Sequence, residues 1–220
     1  MRLVSDKFQS ILEFRENQIQ SLVIESPDVF RELITDFVSG LNGLESGLVF
    51  SENSVPIKMS SGIELVHSYI PFEVNTKKLI SGLLTALENE AMDEQHYMST
   101  QQLLANIEKY MDDLAFCLPG NLEYKINLTG LLKMASPKLS LDGVGGIEAI
   151  YEYMMFYREV VGERIFVFVN LREYYSQQDV ENFAYTVLQH KFKVLLIDNK
   201  EYPILESENR LIIDIDHCEI

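Results

Sequence analysis

Two stretches of this chain hold residue types that could do chemistry. Asp198, Asn199 and Lys200 close the apolar run KVLLID and follow it. An acid and a lysine two positions apart at a strand end suit one class of metal-dependent nuclease. There, paired acids hold the metal and the lysine steadies the reacting phosphate. No partner acid is identifiable, and DNKEYP reads equally as a plain turn. LDGVGGIEAI, residues 141–150, is the one glycine-rich candidate for a phosphate cradle. It lacks the Lys and Ser/Thr of a P-loop and the GxGxxG spacing, and no convincing strand precedes it. A loop is the better reading.

Other reactive residue types are scattered. His67, His96, His190 and His217 show no ligand spacing, so a zinc site is not expected. Asp214, Asp216 and Glu219 alternate near the end, as in some calcium loops, but a strand with one wet face explains them as well. Cys117 and Cys218 form no CxxC pair and suggest no disulfide framework, which fits a reduced, cytoplasmic protein. No apolar run reaches membrane-spanning length, and the N-terminal residues lack the continuous apolar region of a signal peptide. Eighteen Lys and Arg face 34 Asp and Glu, for a net charge of −16. Nucleic-acid binding therefore demands a local basic stripe against an acidic background. The basic candidates are Lys77 and Lys78, then Lys125, Lys133 and Lys138, then Arg158, Arg164, Lys191 and Lys193.

The elements that must position these residues follow from periodicity. FQSILEF and IQSLVIE read as strands. Ser26, Pro27 and Asp28 open a helix in which Val29, Phe30, Leu33, Ile34 and Phe37 share a face. SGLVFSE, SVPIKMS and GIELVHSYI read as further strands. From Asn75 the period changes. NTKKLISGLLTALENEA and STQQLLANIEKYMDDLAFCL form a helical hairpin across the short link MDEQHYM. Two helices alone bury little, so the hairpin suits an oligomer contact. A short helix is expected over 128–135 and another over 147–161. RIFVFVN, then SQQDVENFAYTVLQH, then KVLLID make a strand–helix–strand unit with central, parallel strands and a Ser176/Asp179 helix start. RLIIDI is a last strand. The expectation is an α/β fold with a central, partly parallel sheet, P-loop-like without the phosphate loop. An α-helical leg is inserted in it. The head takes residues 1–74 and 119–220, and the leg residues 75–118.

Five segments then carry a resemblance: SLVIESPDVFRELI, FEVNTKKLISGLLTALE, NLEYKINLTGLLKMASPKL, RIFVFVNLREYYSQQDVENFAYTVLQHKFKVLLID and RLIIDIDHCEI. In this order they resemble the type II-A CRISPR-associated adaptation proteins that form rings around DNA, in the family's short form. The likeness covers nearly the whole chain from residue 20. It implies an α/β head without a phosphate loop, a helical leg, and a homotetramer with a central hole. Ends of double-stranded DNA enter that hole without sequence preference. It implies no catalysis, a role in spacer acquisition beside the CRISPR integrase proteins and the effector nuclease, and calcium supporting the ring. Lys77, Lys78, Lys133 and Lys138 are the expected DNA contacts, with Arg172, just past a strand end, to be tested beside them. The family's acidic calcium loop is replaced here by Pro119, Gly120 and Asn121. Glu123 persists as a metal ligand without acidic neighbours, and Asp112 or Asp113 would have to substitute. Two other readings stay open: a metal-dependent nuclease built on Asp198 and Lys200, and an acidic scaffold that binds only protein.

Overall fold

Val, Ile, Leu and Phe on both faces of RIFVFV and KVLLID leave those runs only one stable place, the middle of a sheet covered on both sides. The computed structural model describes residues 1–120 and 122–220 and puts them there. Its elements run β1 (Arg2–Ser5), β2 (Leu12–Glu13), β3 (Ile19–Ile24), α1 (Pro27–Leu41), β4 (Leu48–Glu52), β5 (Val55–Pro56), α2 (Met59–Gly62) and β6 (Ile63–Val66). They continue α3 (Lys77–Ala91), α4 (Tyr97–Ala115), α5 (Leu128–Ala135), α6 (Gly146–Val161), β7 (Ile165–Val169), α7 (Gln177–Gln189), β8 (Lys193–Asp198) and β9 (Glu208–Ile213). A single 3-10 turn, Leu171–Glu173, follows β7.

Five strands make a parallel sheet in the order β6-β7-β8-β3-β9. Four make a small antiparallel sheet in the order β2-β1-β4-β5. The antiparallel sheet supplies Leu3, Leu12, Leu48 and Phe50 to a core shared with Leu33 and Phe37 of α1. The parallel sheet meets them with Leu22, Ile24, Ile63, Ile165, Val167, Leu195 and Ile197. Alternation turns Phe166 and Phe168 to the opposite face. There Phe166 packs edge-on to Tyr153, Tyr157 and Phe192, and Phe168 to Phe183.

The expected strand SVPIKMS pairs only at Val55–Pro56 and then turns into α2. FQSILEF contributes only Leu12–Glu13, whereas Arg2–Ser5, unforeseen, pairs along its whole length with β4. Ser26 sits at the start of α1, but its hydroxyl makes no capping bond. Ser176 and Asp179 do form a reciprocal capping box at the start of α7. The segment from Asp214 is a turn rather than a strand, closed by Asp214 accepting from the N–H groups of Asp216 and Cys218.

The chain divides into two compact units. The α/β unit holds residues 1–73, 141–158 and 162–220, and the helical unit holds 74–140 with 159–161. The helical unit is therefore longer than the hairpin expected over 75–118, because α5 packs on α3. Within it α3 also passes close to residues 159–161: a Cβ on Gly82 would lie 2.6 Å from the Val160 carbonyl oxygen, so only glycine fits.

Candidate nucleic-acid interface

A polar stripe crosses one face of the parallel sheet. Register puts Ser21 of β3 beside Arg210 of β9, with Glu208 one pleat away, and Asp198 at the end of β8. Arg172, in the turn after β7, reaches into this stripe. Its guanidinium donates to Ser21 Oγ at 2.9 Å and Glu208 Oε1 at 3.0 Å, and lies 3.2 Å from Asp198 Oδ2. Glu208 also accepts from Arg210 Nε at 2.8 Å and from the Leu205 N–H at 2.7 Å. Burial pushes the Glu208 carboxyl up, but the bonds from Arg210, Leu205 and Arg172 outweigh it and hold the group below its ordinary range.

Arg172 is thus withdrawn from nucleic acid. Only 2% of its side chain is exposed, and its donors are turned onto acids of its own unit. The expectation of a DNA contact there is corrected: the residue closes the sheet's strand ends. Asp198 is equally withdrawn, with 1% of its side chain exposed. Burial raises its carboxyl to about 6, and Arg172 offsets this only in part. The contact is close, but neither Asp198 oxygen receives an in-line hydrogen bond. Lys200 stands apart on the surface, 2.8 Å from Glu173, which accounts for its raised pKa. So the acid and lysine of the nuclease reading are each engaged elsewhere. The turn from β3 to α1, where a related fold would cradle phosphate, reads Glu25-Ser26-Pro27. It has an acid, no glycine, and a proline without an N–H.

The raised Asp198 carboxyl gives a testable pH dependence. In the unfolded chain it titrates near its ordinary 3.8, and in the folded chain near 6. Between those values the folded state binds more protons, so this group costs stability as pH rises and costs it fully above about pH 6. Asp198→Asn, with Arg172 still held by Glu208, is expected to gain on the native chain from pH 5 to pH 8. Parallel melting curves for the two proteins across that range would contradict it.

The four lysines expected to touch DNA all fall in the helical unit. Thr76 caps α3, accepting from the Leu79 N–H, and Lys77 and Lys78 fill the helix's first turn. Asn127 caps α5, accepting from the Gly130 N–H at 2.8 Å, and Lys133 lies in its last turn. The side chain of Asn75 clasps the backbone of Leu139, donating to its carbonyl at 3.0 Å and accepting from its N–H at 2.9 Å. That clasp draws Lys138 to the start of α3. Lys133 and Lys138 line one groove with Ile80 and Leu84, and Lys77 is on the same helix face as those two apolar residues. Lys77, Lys133 and Lys138 are exposed and pair with no acid among the described residues. Lys78 is half-buried and engaged.

Metal ligands do not gather where the resemblance implies calcium. Glu123 is exposed, and Asn121 of the preceding loop lies outside the described residues. Tyr124 donates its hydroxyl to Asp112, one of the suggested substitutes. Calcium needs six to eight oxygens, and no set of acids converges on Glu123 among the described residues. The residues there do not fit the ion. One group of potential ligands does converge among the described residues: Glu90, Asp93 and His96, with donor atoms within 4.8 Å of one another at the hairpin link. An imidazole with two carboxylates suits a borderline divalent ion better than calcium. Here the His96 N–H and ring already bind Asp93, and the backbone bond holds the Asp93 carboxyl below its ordinary range.

The helices of this unit also show apolar surface. On α4, Leu103, Tyr110 and Leu114 are exposed, and Met98 and Phe116 at its ends are 75% and 93% exposed. Only Thr100 of that helix is buried. The other described features are quiet: both cysteines are free and exposed, and no described helix is long and apolar enough to cross a membrane.

The chain thus carries an α/β unit whose strand-end acid is engaged and, next in sequence, a lysine-bearing helical unit, and its class follows from a family comparison. A family model described as "CRISPR-associated protein (Cas_Csn2)" matches residues 42–217. The chain belongs to that family, Csn2. Its fold is also that of Stu0660 of Streptococcus thermophilus, a crystal structure 13% identical, with a TM-score of 0.64 over 99% of this chain and 76% of that one.

Proposed function

We propose that the chain is a sequence-independent, double-stranded DNA-binding protein of CRISPR spacer acquisition. It takes duplex ends through the hole of a homotetrameric ring and catalyses no reaction on them. The observation that carries this reading is the set of exposed lysines, Lys77, Lys133 and Lys138, free of acid partners among the described residues in a chain of net charge −16. Cations left unneutralised by their own protein are available to phosphates, and contacts to phosphate alone bind any sequence. The exposed apolar face of α4 supports self-association, because patches of that kind mark protein contacts. The integrase proteins and the effector nuclease are the proposed partners in acquisition.

Light scattering after size exclusion tests the assembly, and gel shift on linear against closed circular duplex tests the binding. The expected results are a mass near four chains and retention of linear DNA far above circular. A monomer without affinity for linear duplex at low salt would overturn the reading. Because no oxygen set converges on Glu123 among the described residues, the tetramer is expected to persist in EGTA. Collapse to smaller species on chelation would show an ion held by donors shared between copies.

A further inference from the structure

The groove that Lys133 and Lys138 line is more than a cationic surface. It offers about 340 Å³ lined by Ile80 and Leu84 of α3, by Lys133, and by the segment Ser136, Pro137 and Lys138. That volume falls within the range of small-molecule sites, about 300–1,000 Å³. Its lining joins three apolar side chains, Ile80, Leu84 and Pro137, with one hydroxyl, Ser136, and two cations. A duplex backbone explains the lysines but gives the apolar walls nothing to do, since phosphodiesters bring only charge and sugar edges. A nucleotide that has left the stack offers both parts. Its base has an apolar face for Ile80, Leu84 and Pro137, and its phosphate suits Lys133 and Lys138. The Asn75–Leu139 clasp holds the two walls together, so the groove is set by the fold rather than by mobile side chains.

We infer that this groove takes an unpaired terminal nucleotide, the frayed or overhanging residue at a DNA end. This rests on the DNA-binding reading above and adds to it a way to tell one end structure from another. Binding remains indifferent to base identity, because no buried polar side chain lines the groove to read a base edge.

Fluorescence anisotropy at one salt concentration tests it with blunt duplexes and duplexes carrying three-nucleotide overhangs. The overhanging duplex should bind on the order of five-fold more tightly, the low end of a base-stacking contribution because no aromatic ring lines the groove. In Leu84→Phe, which fills the groove, the ratio should fall to about one. A second measurement uses the native chain only. A deoxynucleoside monophosphate should displace the overhanging duplex at lower concentration than inorganic phosphate does. Equal affinity for both ends, or equal competition by phosphate and nucleotide, overturns the groove while leaving duplex binding intact. Failure to bind either duplex overturns both.

Discussion

Arg172→Met should cost the α/β unit about 3–5 kcal/mol, the range for removing one partner from a buried ion pair. The mutation leaves Asp198 without a cation and strips Glu208 of one of its two guanidinium partners. Ser21 Oγ also loses its donor at the centre of the sheet. Methionine has the volume to fill the space, so the loss is electrostatic rather than a cavity. For a unit of this size the midpoint of thermal unfolding should fall by on the order of 10 °C. Arg172→Met with Asp198→Asn should recover part of the loss, because the second change removes the stranded charge, and the cycle reads the coupling directly. DNA affinity per folded molecule should not change, which separates this residue from the lysines. A fall of under about 2 °C for the single variant would mean that water reaches the cluster and the pairing is worth little.

Replacing Lys77, Lys133 and Lys138 together by glutamine should do the opposite: leave stability alone and remove binding. These side chains are exposed and pair with no acid among the described residues, so unfolding should shift by no more than about 0.5 kcal/mol. Each lysine that no longer neutralises a phosphate should flatten the plot of log affinity against log salt by about 0.9. Three such lysines in an engaged protomer then change the slope by about 2.7, and affinity at moderate salt by on the order of 100-fold. The slope is the sharper readout, because a misfolded variant binds less without changing it in this proportion. An unchanged slope would place the DNA track elsewhere in the chain.

Much of the frame was legible in the residues because it rests on local patterns. Ser176 and Asp179 mark the start of α7, and two-sided apolar runs mark β7 and β8 as central. β1 escaped because Arg2–Ser5 has only two apolar residues, and its strand character comes from pairing with β4 more than 40 residues on. Arg172 misled for a related reason. In sequence it is a cation just past a strand, with Glu173 its nearest acid. Its true partners, Ser21 and Glu208, are 151 and 36 positions away and reach it only through strand order. The lysines were found as scattered charges. What makes Lys133 and Lys138 one groove with α3 is the Asn75 clasp on Leu139, 64 positions apart, which no spacing rule encodes.

The uncovered face of α4 has a thermodynamic consequence. A helical unit whose apolar side chains stay wet in a single chain draws part of its cohesion from whatever covers them. If copies of the chain cover one another, its stability obeys mass action and weakens on dilution. The α/β unit, with its core closed between two sheets, has no such dependence. Amide exchange should record the split: protection along α4 should rise with protein concentration, while that of β7 and β8 stays constant. Abundance would then set how ordered the lysine-bearing unit is, so that a scarce protein would be a headpiece carrying a loosened helical unit.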